Sequence, residues 1–326
     1  MWTWLRALVL VVCAVSSAAC SRPSDPRVLR LGYFPNLTHA PALTGVASGR
    51  FARALGAVRL ETRVFNAGPA AVEALLAGAL DAAYVGPMPA VAGHLRTHGR
   101  ALRVVAGAAS GGALFVVRRG AGIHGAGDLH GKRIATPQLG GTQDLALRRW
   151  LRANGLAPQE SGGDVRVVPM ENASALALLR QGALDGAWVP EPWAARLVAE
   201  ADAEVLLDER DLWPGRTFAT TVLVARLRYL REARSNVAAL VRANAAEVAW
   251  ITAHPAEAPL AANAAIGSLS GRALAPEVLR VAWSRIDFTT DPQRASLAAN
   301  ARSGQEVGLL PTGSIDDLVM TVEGAP

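Results

Sequence analysis

Gly78-Ala-Leu-Asp-Ala-Ala-Tyr-Val-Gly-Pro87 returns in the chain as Gly182-Ala-Leu-Asp-Gly-Ala-Trp-Val-Pro-Glu191. The two aspartates, Asp81 and Asp185, are 104 residues apart (185 − 81), and each copy follows an apolar, helix-like run. Each copy reads as a helix, a Gly turn, a short strand and a Pro-containing loop. One supersecondary unit built twice predicts two similar α/β lobes. Each lobe presents loops at its strand ends, and a cleft between them suits a small molecule.

The pattern along the chain is consistent with that plan. A strand at Val28–Tyr33 leads through the loop Phe34–His39 to a helix expected over Ala40–Ala54. A strand at Val58–Phe65, a helix at Ala70–Ala77, the strand Ala82–Val85, a helix to about His98 and a strand at Leu102–Ala106 follow. Ala113–Val117 reads as a hinge crossing, after which the alternation restarts at Gly131–Thr136 with a helix from Gly140 to about Asn154. Val165–Val168, a helix over Ala173–Gln181 and the second copy complete this part, and Phe218–Ala225 is the expected return crossing. Strands alternating with helices predict mostly parallel sheets covered on both faces. The expected boundaries are 27–112 plus 217–326 for the first lobe and 113–216 for the second. From Leu227 onward, Ala-rich helices are expected to wrap back onto the first lobe.

The N-terminus has the form of an export signal. Met1–Arg6 carries one positive charge, Ala7–Val15 is an unbroken apolar run, and Ser16-Ser-Ala-Ala19 supplies small residues before Cys20. The apolar run is far short of the roughly 20 residues that span a bilayer. Residues 1–19 are therefore assigned as signal peptide and 20–26 as a polar tether. Cys20 sits as it does in the lipobox of bacterial lipoproteins, which it resembles, with Ser17 standing where that motif usually has Leu. Cys20 is the expected lipidation site and membrane anchor, with simple secretion as the alternative. Cys13, the other cysteine, lies inside the signal, so the mature chain has no internal disulfide and depends on its core.

The formal net charge is +6 and the sequence pI is about 10.2. Lys132 is the sole lysine, and the arginines are scattered without a basic tract or interleaved aromatics. This argues against a nucleic-acid partner, whose footprint requires clustered charge. An excess of positive charge can still help draw an anion into a cleft. With 51% hydrophobic and 18% charged residues, the chain has the composition of a packed globular protein.

In open α/β sheets, ligands bind beyond the carboxyl ends of the strands. The loops expected there are Phe34–His39, Asn66–Pro69, Gly86–Pro89, Ser110–Gly112, Gly140–Gln143, Glu171–Ser174 and Pro190–Trp193. They supply Asn36, His39, Asn66, Gly86, Ser110, Gly111, Gly140, Gly141, Thr142, Gln143, Asn172, Glu191 and Trp193 as candidate ligand contacts. Gly140-Gly-Thr142 is the best anion site, because a helix start offers free N–H groups and partial positive charge. Trp193 is expected to cover an apolar part of the solute, with Glu191 accepting from a donor group, whereas Trp188 is expected in the core. No nucleophile elbow, Walker loop or mature-chain Cys nucleophile is present. His94 and His98 share a helix face but lack a third ligand nearby, so no metal or cofactor is assigned.

Leu31-Gly-Tyr-Phe-Pro-Asn-Leu-Thr-His-Ala-Pro41, Phe65-Asn-Ala-Gly-Pro69, Gly78-Ala-Leu-Asp81, Gly140-Gly-Thr-Gln143 and Trp188-Val-Pro-Glu-Pro-Trp193 together resemble the substrate-binding proteins of bacterial importers for aliphatic sulfonates, taurine, nitrate and bicarbonate. The resemblance covers essentially the whole mature chain. It implies a type II periplasmic-binding-protein fold, two lobes joined by two crossings, closing as a monomer on a small-molecule anion. The solute would pass to an ABC permease and its ATPase. An aliphatic sulfonate is the first expectation, with nitrate, bicarbonate or a thiamine pyrimidine precursor as alternatives. The same fold serves a pyrimidine-precursor synthase that depends on a Cys-rich segment, which this mature chain lacks, so no enzyme activity is expected. A receptor module presenting a loaded lobe to a sensor partner is the third possibility.

Overall fold

A computed structural model describes residues 25–322, so residues 1–19, Cys20 and most of the tether lie outside the described residues. The strands are β1 (Val28–Tyr33), β2 (Arg59–Val64), β3 (Ala82–Val85), β4 (Leu102–Gly111), β5 (Ala113–Arg118), β6 (Arg133–Thr136), β7 (Arg166–Pro169), β8 (Gly186–Pro190), β9 (Ala203–Asp208), β10 (Ala219–Arg226) and β11 (Ile286–Phe288). They form two sheets, ordered β11-β4-β10-β3-β1-β2 and β7-β6-β8-β5-β9.

Read from one edge, β4-β10-β3-β1-β2 corresponds to β9-β5-β8-β6-β7. Within these five corresponding strands, β10 and β5 each run antiparallel to both neighbours, and each is the strand that arrives from the other lobe; β11 adds a further antiparallel pair at the edge of the first sheet. The repeated aspartates explain why the duplicated unit carries this topology. Asp81 accepts from the backbone N–H of Arg30 on β1 at 3.1 Å and from Arg226 at the end of β10 at 2.9 Å. Asp185 accepts from the backbone N–H of Arg133 on β6 at 2.8 Å and lies 3.6 Å from Arg118 at the end of β5. Each buried carboxylate thus ties an incoming antiparallel strand to the parallel part of its sheet. Gly78 and Gly182 end the preceding helices at φ 75° and 71°, a left-handed conformation that residues with a Cβ adopt only at a cost.

Helices cover both faces of each sheet, with Leu31, Tyr84 and Leu240 in one core layer of the first lobe and Val72, Met88 and Val222 in the other. The second lobe divides likewise between Leu114, Leu179 and Val189 and the Phe115, Trp150 and Trp188 cluster. Trp188 is fully buried as expected, its indole donating to Glu209 Oε2 at 2.8 Å. The C-terminal helices pack on the first lobe: Asn244, on the helix Arg234–Ala253, accepts from Tyr84 at 2.8 Å.

Several elements differ from the sequence expectation. The helix expected over Ala40–Ala54 is two, Ala40–Ala47 and Arg50–Leu55, broken where Gly49 takes φ 70°. β4 runs on to Gly111 because β10 and β11 supply antiparallel partners up to that point. Those partners are distant in sequence, and β9 and β11 were likewise invisible to local patterning. Trp193 begins a helix, Trp193–Glu200, and does not stand on a loop.

Candidate functional site

Six of the seven expected loops supply residues to one cavity between the sheets, lined by Phe34, Asn36, Thr38 and His39 after β1, Asn66–Gly68 after β2, and Gly86 and Pro89 after β3. Across from them lie Pro137, Gln138 and Gly141–Gln143 after β6, Asn172 after β7, and Pro190, with Thr220 entering from β10. The free volume of the cavity is about 40 Å³. That is room for roughly three water-sized atoms at 10–15 Å³ each.

No Asp, Glu, Lys or Arg lines this cavity. Its polarity comes from neutral side chains and from backbone. The helices Gly68–Leu76, Pro87–Arg96, Thr142–Ala153 and Asn172–Arg180 all begin at its wall, and none has a side-chain cap on its N-terminus. Pro69, Pro87 and Pro89 carry no N–H, but the other first-turn N–H groups have no partner within the helix, and each helix start carries partial positive charge. Two buried side-chain oxygens on lining residues also make no hydrogen bond: Thr142 Oγ1, a hydroxyl that can donate, and Asn172 Oδ1, an acceptor, on residues 5% and 7% exposed.

His39 adds a neutral donor. Its Nδ1 accepts from the backbone N–H of Phe34 at 3.4 Å, which leaves the proton on Nε2. The ring packs tilted against Phe34 with centroids 4.2 Å apart, and burial holds its pKa down to about 3. The imidazole is therefore uncharged at neutral pH and works as an N–H dipole.

The two lobes meet around this cavity. Asn66 Nδ2 donates to Glu171 Oε1 at 2.7 Å, and Trp193 Nε1 donates to Asn36 Oδ1 at 3.0 Å. Thr142 approaches Gly86 so closely that a Cβ on that glycine would stand 2.2 Å from Oγ1. A larger opening shares Asn66, Ala67, Pro137 and Gln138 with the cavity and continues outward past Phe65, Leu139 and Met170.

Of the expected contacts, Asn36, His39, Asn66, Gly86, Gly141, Thr142, Gln143 and Asn172 line the cavity. Ser110, Gly111, Gly140, Glu191 and Trp193 do not. Ser110 Oγ accepts from the backbone N–H of Phe218, and the Gly111 carbonyl accepts from Thr220, because β4 continues as strand through both. The Gly140 N–H is taken by Asp144 at 3.0 Å. Glu191 is fully buried and paired with Arg285 at 2.7 Å, its second oxygen accepting from the Ala195 N–H at 3.0 Å. Trp193 stands outside the cavity, behind Asn36. Thr220 was missed, since only strand pairing brings β10 to the site, while Thr38 and Gln138 sit in or beside loops already singled out. His94 pairs with Asp317 at 3.1 Å, and no group of three or more metal-ligand side chains exists among the described residues.

The sequence profile of the NMT1-like family matches residues 22–266, and the chain belongs to that family. A Brucella abortus (strain 2308) protein is 29% identical over 215 residues, 64% of either chain, so the match spans less than two thirds of that relative. The taurine-binding periplasmic protein of Escherichia coli K12 is 30% identical over 177 residues, 53% of this chain and 51% of that protein. Among solved structures, the alkanesulfonate-binding protein SsuA of Xanthomonas axonopodis pv. citri, bound to MOPS, superposes with a TM-score of 0.74 at 20% identity. That superposition covers 89% of this chain and 96% of the other. At this identity the likeness establishes the fold, the two-lobed α/β architecture of periplasmic binding proteins. No helix among the described residues is long and apolar enough to cross a membrane.

Proposed function

We propose that this chain is the extracytoplasmic solute-binding component of an ATP-driven importer, that it captures a small oxyanion, foremost an aliphatic sulfonate, and that its lobes span 27–112 plus 217–326 and 113–216. One observation carries the reading: four uncapped helix starts converge on a cavity without any charged side chain. Such a site favours a permanently ionised, acceptor-only group, held by N–H dipoles without a buried counter-charge. The small free volume, about 40 Å³, suits a small head group. The outward opening past Phe65, Leu139 and Met170 gives an alkyl tail its path. This tail direction replaces the expected cover by Trp193. The taurine- and alkanesulfonate-binding relatives support the solute class.

Asn36, His39, Asn66, Gly86, Gly141, Thr142, Gln143 and Asn172 form the ligand shell in this reading. Delivery to a permease and anchoring through lipid on Cys20 complete the role. A thermal-shift screen of small anions and neutral pyrimidines, followed by calorimetry, tests it. Preferential binding of ethanesulfonate, taurine or nitrate is the expected result, and a neutral pyrimidine as the tightest ligand overturns it. Loss of metabolic lipid labelling in Cys20→Ala is the expected outcome for the anchor, and labelling that survives refutes it.

A further inference from the structure

We propose that Trp193, which does not line this cavity but faces a separate opening beside Pro35, Ala173 and Arg196, sets the solute selectivity of the cavity by fixing which end of the Asn36 amide faces it. This role rests on the oxyanion reading above and deepens it.

Asn36 belongs to the first lobe, is 5% exposed and lines the cavity. It precedes the short turn Leu37–His39, yet its side chain does not cap that turn. Its Oδ1 instead accepts from Trp193 Nε1 at 3.0 Å, across the cleft. An Asn amide presents an acceptor at one end and a donor at the other, and the two are assigned by their partners. An indole N–H can only donate, so it admits the oxygen and turns the NH₂ group away from itself. The NH₂ end of Asn36 makes no hydrogen bond among the described residues, leaving its donors for the cavity.

Trp193 is itself held in place. The Arg196 guanidinium lies over its ring at 4.6 Å, and Arg196 pairs with Glu200 at 2.8 Å. The first residue of a second-lobe helix therefore reaches the first-lobe amide in a set orientation. When the lobes separate, the indole leaves and the amide is free to present either end. Closure thus adds a donor to those already at the cavity wall, and it does so only when the lobes have met. The tryptophan of Pro190-Glu-Pro-Trp193 is a positioning residue, acting through Asn36.

The test uses calorimetry with ethanesulfonate, an acceptor-only head, and ethanesulfonamide, its neutral relative bearing N–H donors. Trp193→Phe keeps the aromatic packing and removes the indole donor. The expected result is about tenfold weaker ethanesulfonate binding, with a much smaller change for ethanesulfonamide, so the ratio of the two affinities narrows. Trp193→Phe added to Asn36→Ala should cost nothing further. Asn36→Asp keeps an acceptor for the indole, so the Trp193 indole ¹⁵N–¹H resonance should hold its position while ethanesulfonate binding falls at least a hundredfold. Equal losses for both probes in Trp193→Phe would make the tryptophan a simple closing contact and overturn the selectivity role, as would an unchanged affinity or additive losses in the double variant. Wild-type protein that binds neither ethanesulfonate nor nitrate would instead overturn the oxyanion reading, and this role with it.

Discussion

Gly86 and Thr142, from opposite lobes, are packed so closely that the threonine hydroxyl occupies the place of a glycine side chain: a Cβ built on Gly86 would lie 2.2 Å from Thr142 Oγ1. Gly86 has φ −69° and ψ 160°, an extended conformation open to any residue. What demands glycine is therefore the other lobe and not the local backbone.

Gly86→Ala should accordingly leave the isolated lobes intact and obstruct their closure. Because the added methyl meets the other lobe and not its own, the unfolding midpoint of the solute-free protein should change little. Solute affinity should fall more than tenfold, and small-angle scattering should show an open form that the solute no longer compacts. Wild-type affinity in this variant would show that the solute is held without this closure.

Thr142→Val removes a hydroxyl that has no partner within the protein while keeping the shape of the side chain. If that hydroxyl donates to a charged solute, binding should weaken by about 1.5–3 kcal/mol, or roughly 10- to 150-fold. Because the hydroxyl is unsatisfied in the free protein, the melting temperature should hold or rise. Calorimetry and a thermal melt on the same sample read both effects.

Glu191 and Arg285 form an ion pair beside the β4–β5 connection, where the Glu191 N–H donates to the Gly112 carbonyl at 2.8 Å. Burial raises the Glu191 pKa, and Arg285, the Ala195 N–H and the Arg285 charge oppose that rise. The two single variants should differ. Arg285→Met strands a fully buried carboxylate and should cost about 3–5 kcal/mol, whereas in Glu191→Gln the 22% exposed Arg285 side chain can still reach water and the loss should be smaller. The double variant should recover much of the Arg285→Met loss in denaturant unfolding. Equal single losses would contradict the asymmetry of burial.

Solute binding should be insensitive to pH between 8 and 5. His39 is held neutral down to about 3 by burial, so no imidazolium forms in that range to strengthen an anion's grip. The same shift has a stability consequence of known sign. A histidine pKa depressed in the folded state contributes fully above about 6.5, its unfolded value, and that contribution is lost as pH falls toward about 3. An affinity that climbs on acidification would place a titrating histidine in the site, and ¹⁵N shifts of His39 would identify it.

Glu209 should act in the opposite direction. Burial pushes its pKa up to about 7 from 4.5, against donors from Trp188 and Trp213. A carboxyl raised in the folded state favours folding most below its unfolded value, and this stability falls as pH rises from about 4.5 to about 7. Glu209→Gln should flatten that part of the stability profile, measured by urea unfolding at a series of pH values. A slope that persists in the variant would assign it to another group.

The primary sequence by itself determined the duplicated α/β plan, since the Gly-Ala-Leu-Asp repeat and the strand–helix alternation are local signals set by periodicity and turn chemistry. It also showed most of the cavity wall, because loops after parallel strands converge wherever such sheets form. Asn36, His39, Thr142 and Asn172 were readable for that reason. Tertiary structure alone decided what local pattern does not encode. The extent of β4, the entry of Thr220 and the insertion of β5 and β10 as antiparallel strands depend on pairing between distant segments. Glu191 and Trp193 show the limit most clearly. A carboxylate and an indole beside a cleft have the same local sequence whether they face solute or protein. Only the arrival of Arg285, 94 residues later, and of Asn36, 157 residues earlier, committed them to protein partners.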